Sequence, residues 1–187
     1  LIDSGELPAG FERLHFHVER PLYRHQVDAL RSATKGNNLI VSTGTGSGKT
    51  ESFLIPIMRE LVQEYNAGKL APGVRAMLIY PMNALANDQM ERLRELLSDF
   101  PEITFGAYTG QTSEFYKVAV EEYKRLNNNK PPKQNELISR EQMKKTPPHI
   151  LITNYAMLEY LMVRPDDSVF FQDQYTEYWK YIVLDEA

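Results

Sequence analysis

Nine residues, Ser42-Thr43-Gly44-Thr45-Gly46-Ser47-Gly48-Lys49-Thr50, limit what this chain can fold into more than any other feature. They lie between the apolar run Leu39-Ile40-Val41 and a segment of helical period that begins near Lys49. A strand, a glycine-rich loop and a helix in that order turn several backbone amides and the positive end of a helix dipole toward one point, an arrangement suited to a phosphate. Lys49 adds a cation, and Thr50 a hydroxyl for a magnesium ion. Thr43 stands where such loops usually begin with Gly or Ala, and the stretch from Gly46 to Thr50 is intact.

The rest of the sequence alternates in the same way. Apolar runs predict strands at 38–42, 76–80, 103–107, 149–153 and 181–184. Between them, Leu54, Ile57, Met58, Leu61 and Tyr65 mark one stripe of a helix over 51–65, and Ala86, Met90, Leu93 and Leu97 mark another over 84–100. Pro56 interrupts the first of these and should kink it. A shorter amphipathic helix is expected over 22–33. This is the α/β pattern of a mostly parallel sheet with helices on both faces. Residues 1–21 read as a lead-in. Residues 111–148, with a helix over 115–126, the turn Asn127-Asn128-Asn129-Lys130-Pro131-Pro132 and a second polar helix, read as an exposed insertion with a mobile tip.

Length allows one domain with a real core, and both ends look like cuts within a longer protein. The absence of cysteine excludes disulfides and thiolate metal sites. His15 and His17 are too poorly supplied with acidic neighbours to make a metal site. No apolar run reaches the ~20 residues of a membrane helix, and no signal peptide heads the chain, so a soluble, cytoplasmic protein is expected. Net charge is −4, which gives no diffuse attraction to nucleic acid. The charge is uneven: residues 117–145 carry eight Lys or Arg against four Glu, a pattern of a solvated basic face more often than of a nucleic-acid patch.

At the other end, the apolar run Val183-Leu184 leads into Asp185-Glu186-Ala187. Carboxylates at the carboxyl end of a buried parallel strand stand at the ligand edge of an open sheet, where one can hold Mg²⁺ through water and the other orient an attacking water.

From about Leu22 onward these motifs resemble the DEAD/DEAH-box helicases of superfamily two. The Leu22-Tyr23-Arg24-His25-Gln26 segment is similar to the Q motif, the loop ending at Thr50 to motif I, Asp185-Glu186-Ala187 to the start of motif II. Tyr80-Pro81-Met82-Asn83-Ala84-Leu85-Ala86-Asn87-Asp88-Gln89 resembles motif Ia, Tyr108-Thr109-Gly110 motif Ib, and Leu151-Ile152-Thr153-Asn154 motif Ic. The wording of Ia and Ic is closer to the DNA helicases of the MrfA or YprA repair group, and to related helicases of prokaryotic anti-phage systems, than to RNA-directed DEAD-box proteins.

The resemblance implies a RecA-like P-loop NTPase lobe, incomplete at its C-terminal end, working with a second RecA-like lobe that supplies arginine fingers. It implies binding of ATP and Mg²⁺, with Tyr23, Gln26, Thr43, Gly44, Thr45, Gly46, Ser47, Gly48, Lys49 and Thr50 around the nucleotide. Gln26 would read the adenine, Thr50 and Asp185 would serve the metal, and Lys49, Asp185 and Glu186 would carry hydrolysis. Pro81, Asn83, Asn87, Thr109, Gly110, Thr153 and Asn154 would meet single-stranded DNA, within a helicase or translocase that joins repair or defence complexes. An RNA helicase, a duplex translocase, or an ATP-binding scaffold without catalysis are the alternatives.

Overall fold

The computed structural model describes residues 5–16, 21–44, 46 and 48–185 and divides into two units, Leu1–Leu70 and Ala71–Ala187. Thr45, Ser47, Glu186 and His17, singled out above, lie outside the described residues.

The first unit is helical. Helix α1 (Arg24–Thr34) packs against α2 (Lys49–Asn66), and a 3-10 turn, Phe11–Arg13, precedes them. The expected stripe of α2 holds, with Leu54, Ile57, Met58 and Leu61 buried, and the helix runs on through a buried Pro56. The lead-in is fastened to both helices: Arg31 on α1 forms a two-bond ion pair with Glu6, Arg59 on α2 donates to the Glu6 carbonyl at 2.8 Å, and Asn66 donates to the Ala9 carbonyl at 2.8 Å.

The expected strand at 38–42 does not form. Those residues carry no regular structure, and Ile40 is 98% exposed. A strand exists only through its ladder, and among the described residues of this unit there is no second strand to pair with.

The second unit is built on a five-stranded sheet in the order β3-β2-β4-β1-β5, every pairing parallel. The strands are β1 (Ala76–Tyr80), β2 (Phe105–Ala107), β3 (Glu136–Leu137), β4 (Ile150–Asn154) and β5 (Tyr181–Leu184). All five residues of β1 are buried, as expected of a central parallel strand covered on both faces. On one face Met77 and Ile79 of β1 and Leu151 of β4 join Met143, Met157, Leu161 and Phe170 in a single apolar cluster. Met157 and Leu161 come from α6 (Tyr155–Val163), and Met143 from α5 (Arg140–Lys145). The alternate residues Leu78, Ile150 and Ile152 are also buried, and α3 (Asn83–Leu96) packs against β1, β2 and β4.

The stretch 111–148 is more than an exposed excursion. It contains α4 (Tyr116–Leu126), then β3, which pairs with β2 through Phe105 and Gly106, then α5. Arg94 of α3 grips the buried Glu136 of β3 by three hydrogen bonds of 2.8–3.0 Å, and Tyr123 of α4 donates to the same carboxylate at 2.9 Å. Asn135 Nδ2 lies within hydrogen-bonding reach of the carbonyls of Leu97, Phe100 and Ile103, closest at 3.0 Å to Ile103. Among the described residues no helix is long and apolar enough to cross a membrane.

Candidate nucleotide and nucleic-acid sites

In the helical unit, Gly48 is the residue before α2 and has φ of +74°, a left-handed conformation natural to glycine. Gly46 has φ of +73° and open space around it. A side chain at Gly48 would sit 2.5 Å from Gln26 Nε2, because that amide donates to the Gly48 carbonyl at 2.9 Å. Gln26 Oε1 meanwhile accepts from the Tyr23 N–H at 2.8 Å. Gln26 is therefore buried and engaged at both ends, a brace between the start of α1 and the glycine loop; one further N–H and one lone pair remain for a base edge. The Tyr23 ring is exposed and stacks on His25 with centroids 5.6 Å apart. Lys49 and Thr50 open α2, in the first turn where helix amides have no internal acceptor. This cradle fits a phosphate chain.

In the sheet unit, the three candidate strand-binding stretches end at the same edge. Tyr80 closes β1, Ala107 closes β2 and Asn154 closes β4, and hydrogen bonds tie them together. Asn154 Oδ1 accepts from the Met157 N–H at 2.7 Å and so caps α6. Its amide nitrogen must then be the donor toward Asn83 Oδ1, at 2.6 Å. Asn83 begins α3, and its own Nδ2 donates to no protein group among the described residues. Thr153 Oγ1 donates to the Tyr108 carbonyl at 2.8 Å, and the Tyr108 N–H donates to the Ile152 carbonyl at 2.8 Å.

Two of the expected side chains lie inside the protein. Thr153 is fully buried, and its hydroxyl donates to the Tyr108 carbonyl, so that hydroxyl holds the motif Ib backbone. Thr109 is buried too; its hydroxyl accepts from the Gln111 N–H at 3.2 Å and shapes the turn. Pro81, Asn87 and Gly110 are exposed. Sequence reasoning missed Arg140, whose guanidinium donates to the Thr109 carbonyl at 3.0 Å and the Thr112 carbonyl at 3.1 Å and stands 4.9 Å over the Tyr108 ring. Nothing in the local pattern of a polar helix announces that contact.

Asp185 follows β5 at the same edge, and its N–H donates to the Ile79 carbonyl at 3.1 Å. The nearby Tyr80 hydroxyl is buried, and its pKa is driven far above the ordinary phenol range, first by burial and then by the Asp185 carboxylate.

The DEAD/DEAH box helicase family model matches residues 23–187. The Druantia protein DruE of Escherichia coli is 33% identical over a match covering 90% of this chain and 14% of that protein. The ATP-dependent helicase Lhr-Core of Sulfolobus acidocaldarius is 30% identical, over 86% of this chain and 16% of that protein. The crystal structure of the DUF1998 helicase MrfA bound to DNA and AMPPNP superposes with a TM-score of 0.67 and 26% identity, over 96% of this chain and 21% of that one. The chain thus spans about a seventh to a fifth of these relatives' lengths, and its parallel sheet has the fold of RecA-like helicase lobes. The sequence match runs from the Q-motif segment to the last residue, and the chain belongs to the DEAD/DEAH box helicase family.

Proposed function

We propose that this chain is the ATP-binding lobe of a DNA helicase or translocase, completed by a second RecA-like lobe, and that it holds a single strand at the edge where β1, β4 and β2 end. The observation that carries the reading is Asn83. Its side-chain oxygen is fixed by Asn154, so both protons on its Nδ2 stay available at the start of a helix whose first amides are also unbonded. Donors without charge, aimed from a helix start, suit backbone phosphates. Gly110, Pro81 and Asn87 are exposed beside the same motifs, while Thr153 and Thr109 act by holding the backbone in place. The similarity to a helicase solved with DNA supports DNA as the strand.

On the nucleotide side, the family resemblance implies that the glycine loop, Lys49 and Thr50 would hold the triphosphate and its Mg²⁺, Gln26 and Tyr23 would meet the adenine, Asp185 would serve the metal and Glu186 would orient the water. The bound metal supplies charge neutralisation at the phosphates; the chain's own groups position and deprotonate.

The test is Asn83→Asp in the full-length protein. The variant keeps the acceptor that Asn154 needs and replaces the free donor with a carboxylate. Single-stranded DNA affinity and DNA-stimulated ATP hydrolysis should fall at least about tenfold, since a charged acceptor would face phosphate, while nucleotide affinity is retained. Undiminished DNA binding by this variant removes the edge from consideration, and tighter binding of an RNA strand than of DNA reassigns the substrate.

A further inference from the structure

Beside the motif Ib turn lies a cavity of about 460 Å³ whose walls come from the 111–148 stretch and from the segment after α6. Its cationic lining is Arg140, Lys144 and Arg164; its acidic lining is Glu114, Asp166 and Asp167. These charges are unequally committed. Lys144 bridges the Asp167 carboxylate at 3.2 Å and the Glu114 carboxylate at 3.1 Å, and the buried Asp167 also accepts from the Tyr108 hydroxyl. Arg140 spends its hydrogen bonds on two neutral carbonyls, and Arg164 rests 4.1 Å over the Tyr160 ring. Neither arginine has an ion pair among the described residues.

We infer that Arg140 and Arg164 form a phosphodiester subsite that continues the nucleic-acid track past Thr109 and Gly110. This rests on the strand-binding reading above. Arg140 links the two directly, because the guanidinium that lines the cavity is the one that holds the Thr109 carbonyl. Its position is fixed by those bonds and by the Tyr108 ring beneath it, which lowers the entropy lost when a ligand binds. The anion preference follows from the lining. Beside the two arginines stand Asp166 and the Lys144-paired Glu114, so a phosphodiester with one negative charge is repelled less than free phosphate, with a charge of about −1.5 to −2 at neutral pH. The basic 111–148 stretch thereby contributes to binding through one rigid arginine and not through its exposed lysines.

Arg164 provides the clean test, because it is exposed and its guanidinium rests on the Tyr160 ring while its other bonds are made by the backbone, so Arg164→Gln should leave the fold intact. Binding of a labelled oligothymidylate to the full-length protein is measured across a salt series. Amide donors release no counterions, so each arginine on a phosphate shows in the slope, about 0.7 log units per contact on a single strand. Arg164→Gln is expected to flatten the slope by about that amount and to weaken affinity about three- to tenfold, with nucleotide affinity unchanged. Inorganic phosphate in excess should not displace the strand beyond an equal ionic strength of chloride. If the wild type binds the strand, Asn83→Asp abolishes binding and Arg164→Gln changes neither slope nor affinity, the subsite is wrong and the strand-binding edge stands. If Asn83→Asp binds normally, the edge reading fails and this inference falls with it. Specific displacement by inorganic phosphate would overturn the phosphodiester assignment.

Discussion

Acidification should destabilise this protein through one buried imidazole. His149 precedes β4 and is 4% exposed. Its Nδ1 accepts from the Thr104 N–H at 2.9 Å, which puts the ring's single proton on Nε2. Protonation of Nδ1 would set two donors against each other. Burial first, and the charge of Arg75 second, push the His149 pKa down to about 4 from 6.5, and the Ala71 carbonyl offsets this only in part. Because the folded value lies below the unfolded one, stability is intact above pH 6.5 and is lost as pH falls toward about 4. Over that interval the loss is on the order of 3 kcal/mol, a large part of a typical domain stability of about 5–15 kcal/mol. Urea unfolding of the wild type and of His149→Asn from about pH 7 to about pH 4 isolates the effect, since the Asn oxygen can still accept from Thr104 but does not titrate. The gap between the two should close or reverse by on the order of 3 kcal/mol on acidification, other carboxylates cancelling in the comparison. Parallel pH profiles for the two proteins would refute the argument.

Arg94→Met should destabilise the fold by about 3–5 kcal/mol in chemical unfolding, because it strands the buried Glu136 carboxylate, whereas Tyr123→Phe should cost only about 1 kcal/mol. Equal losses for the two would contradict the bidentate pair as the main clamp. Gly106→Ala would place a methyl 2.7 Å from the Leu137 carbonyl and 2.7 Å from Met143 Sδ, so thermal unfolding should show a loss of about 1–3 kcal/mol with β3 first to lose amide protection. Lys49→Ala should abolish ATP binding by calorimetry with the melting temperature of the nucleotide-free protein unchanged. Glu186→Gln in the full-length protein should bind ATP and fail to turn it over.

What could be read from the sequence followed from local period. β5 matches its expected span, 181–184, and β1 its span, 76–80, because each is an unbroken apolar run bounded by polar residues or a turn. α6 was not foreseen: Tyr155–Val163 is apolar nearly all round, so no stripe distinguishes it. β3 is two residues long and includes a glutamate whose burial makes sense only beside Arg94, forty-two positions away. The site shows the same limit. Motif order located Asn83, Thr109, Thr153 and Asn154, but which of them present donors and which are consumed internally depends on bonds across strands, as between Thr153 and Tyr108. The 38–42 run has the composition of a strand and no ladder within its own unit.

The sheet order also carries a kinetic meaning. β1 and β4 are laced on both sides, whereas β5, which leads to Asp185, is paired on one side only among the described residues, and its Ile182 and Leu184 stay more than half exposed. A strand sewn by a single seam opens at lower cost than its neighbours. Amide exchange should therefore rank β5 well ahead of β1 and β4, so that Asp185 follows a strand that opens more readily than the two central ones. Any partner or ligand that orders Asp185 would be visible as a selective slowing of exchange along that one strand.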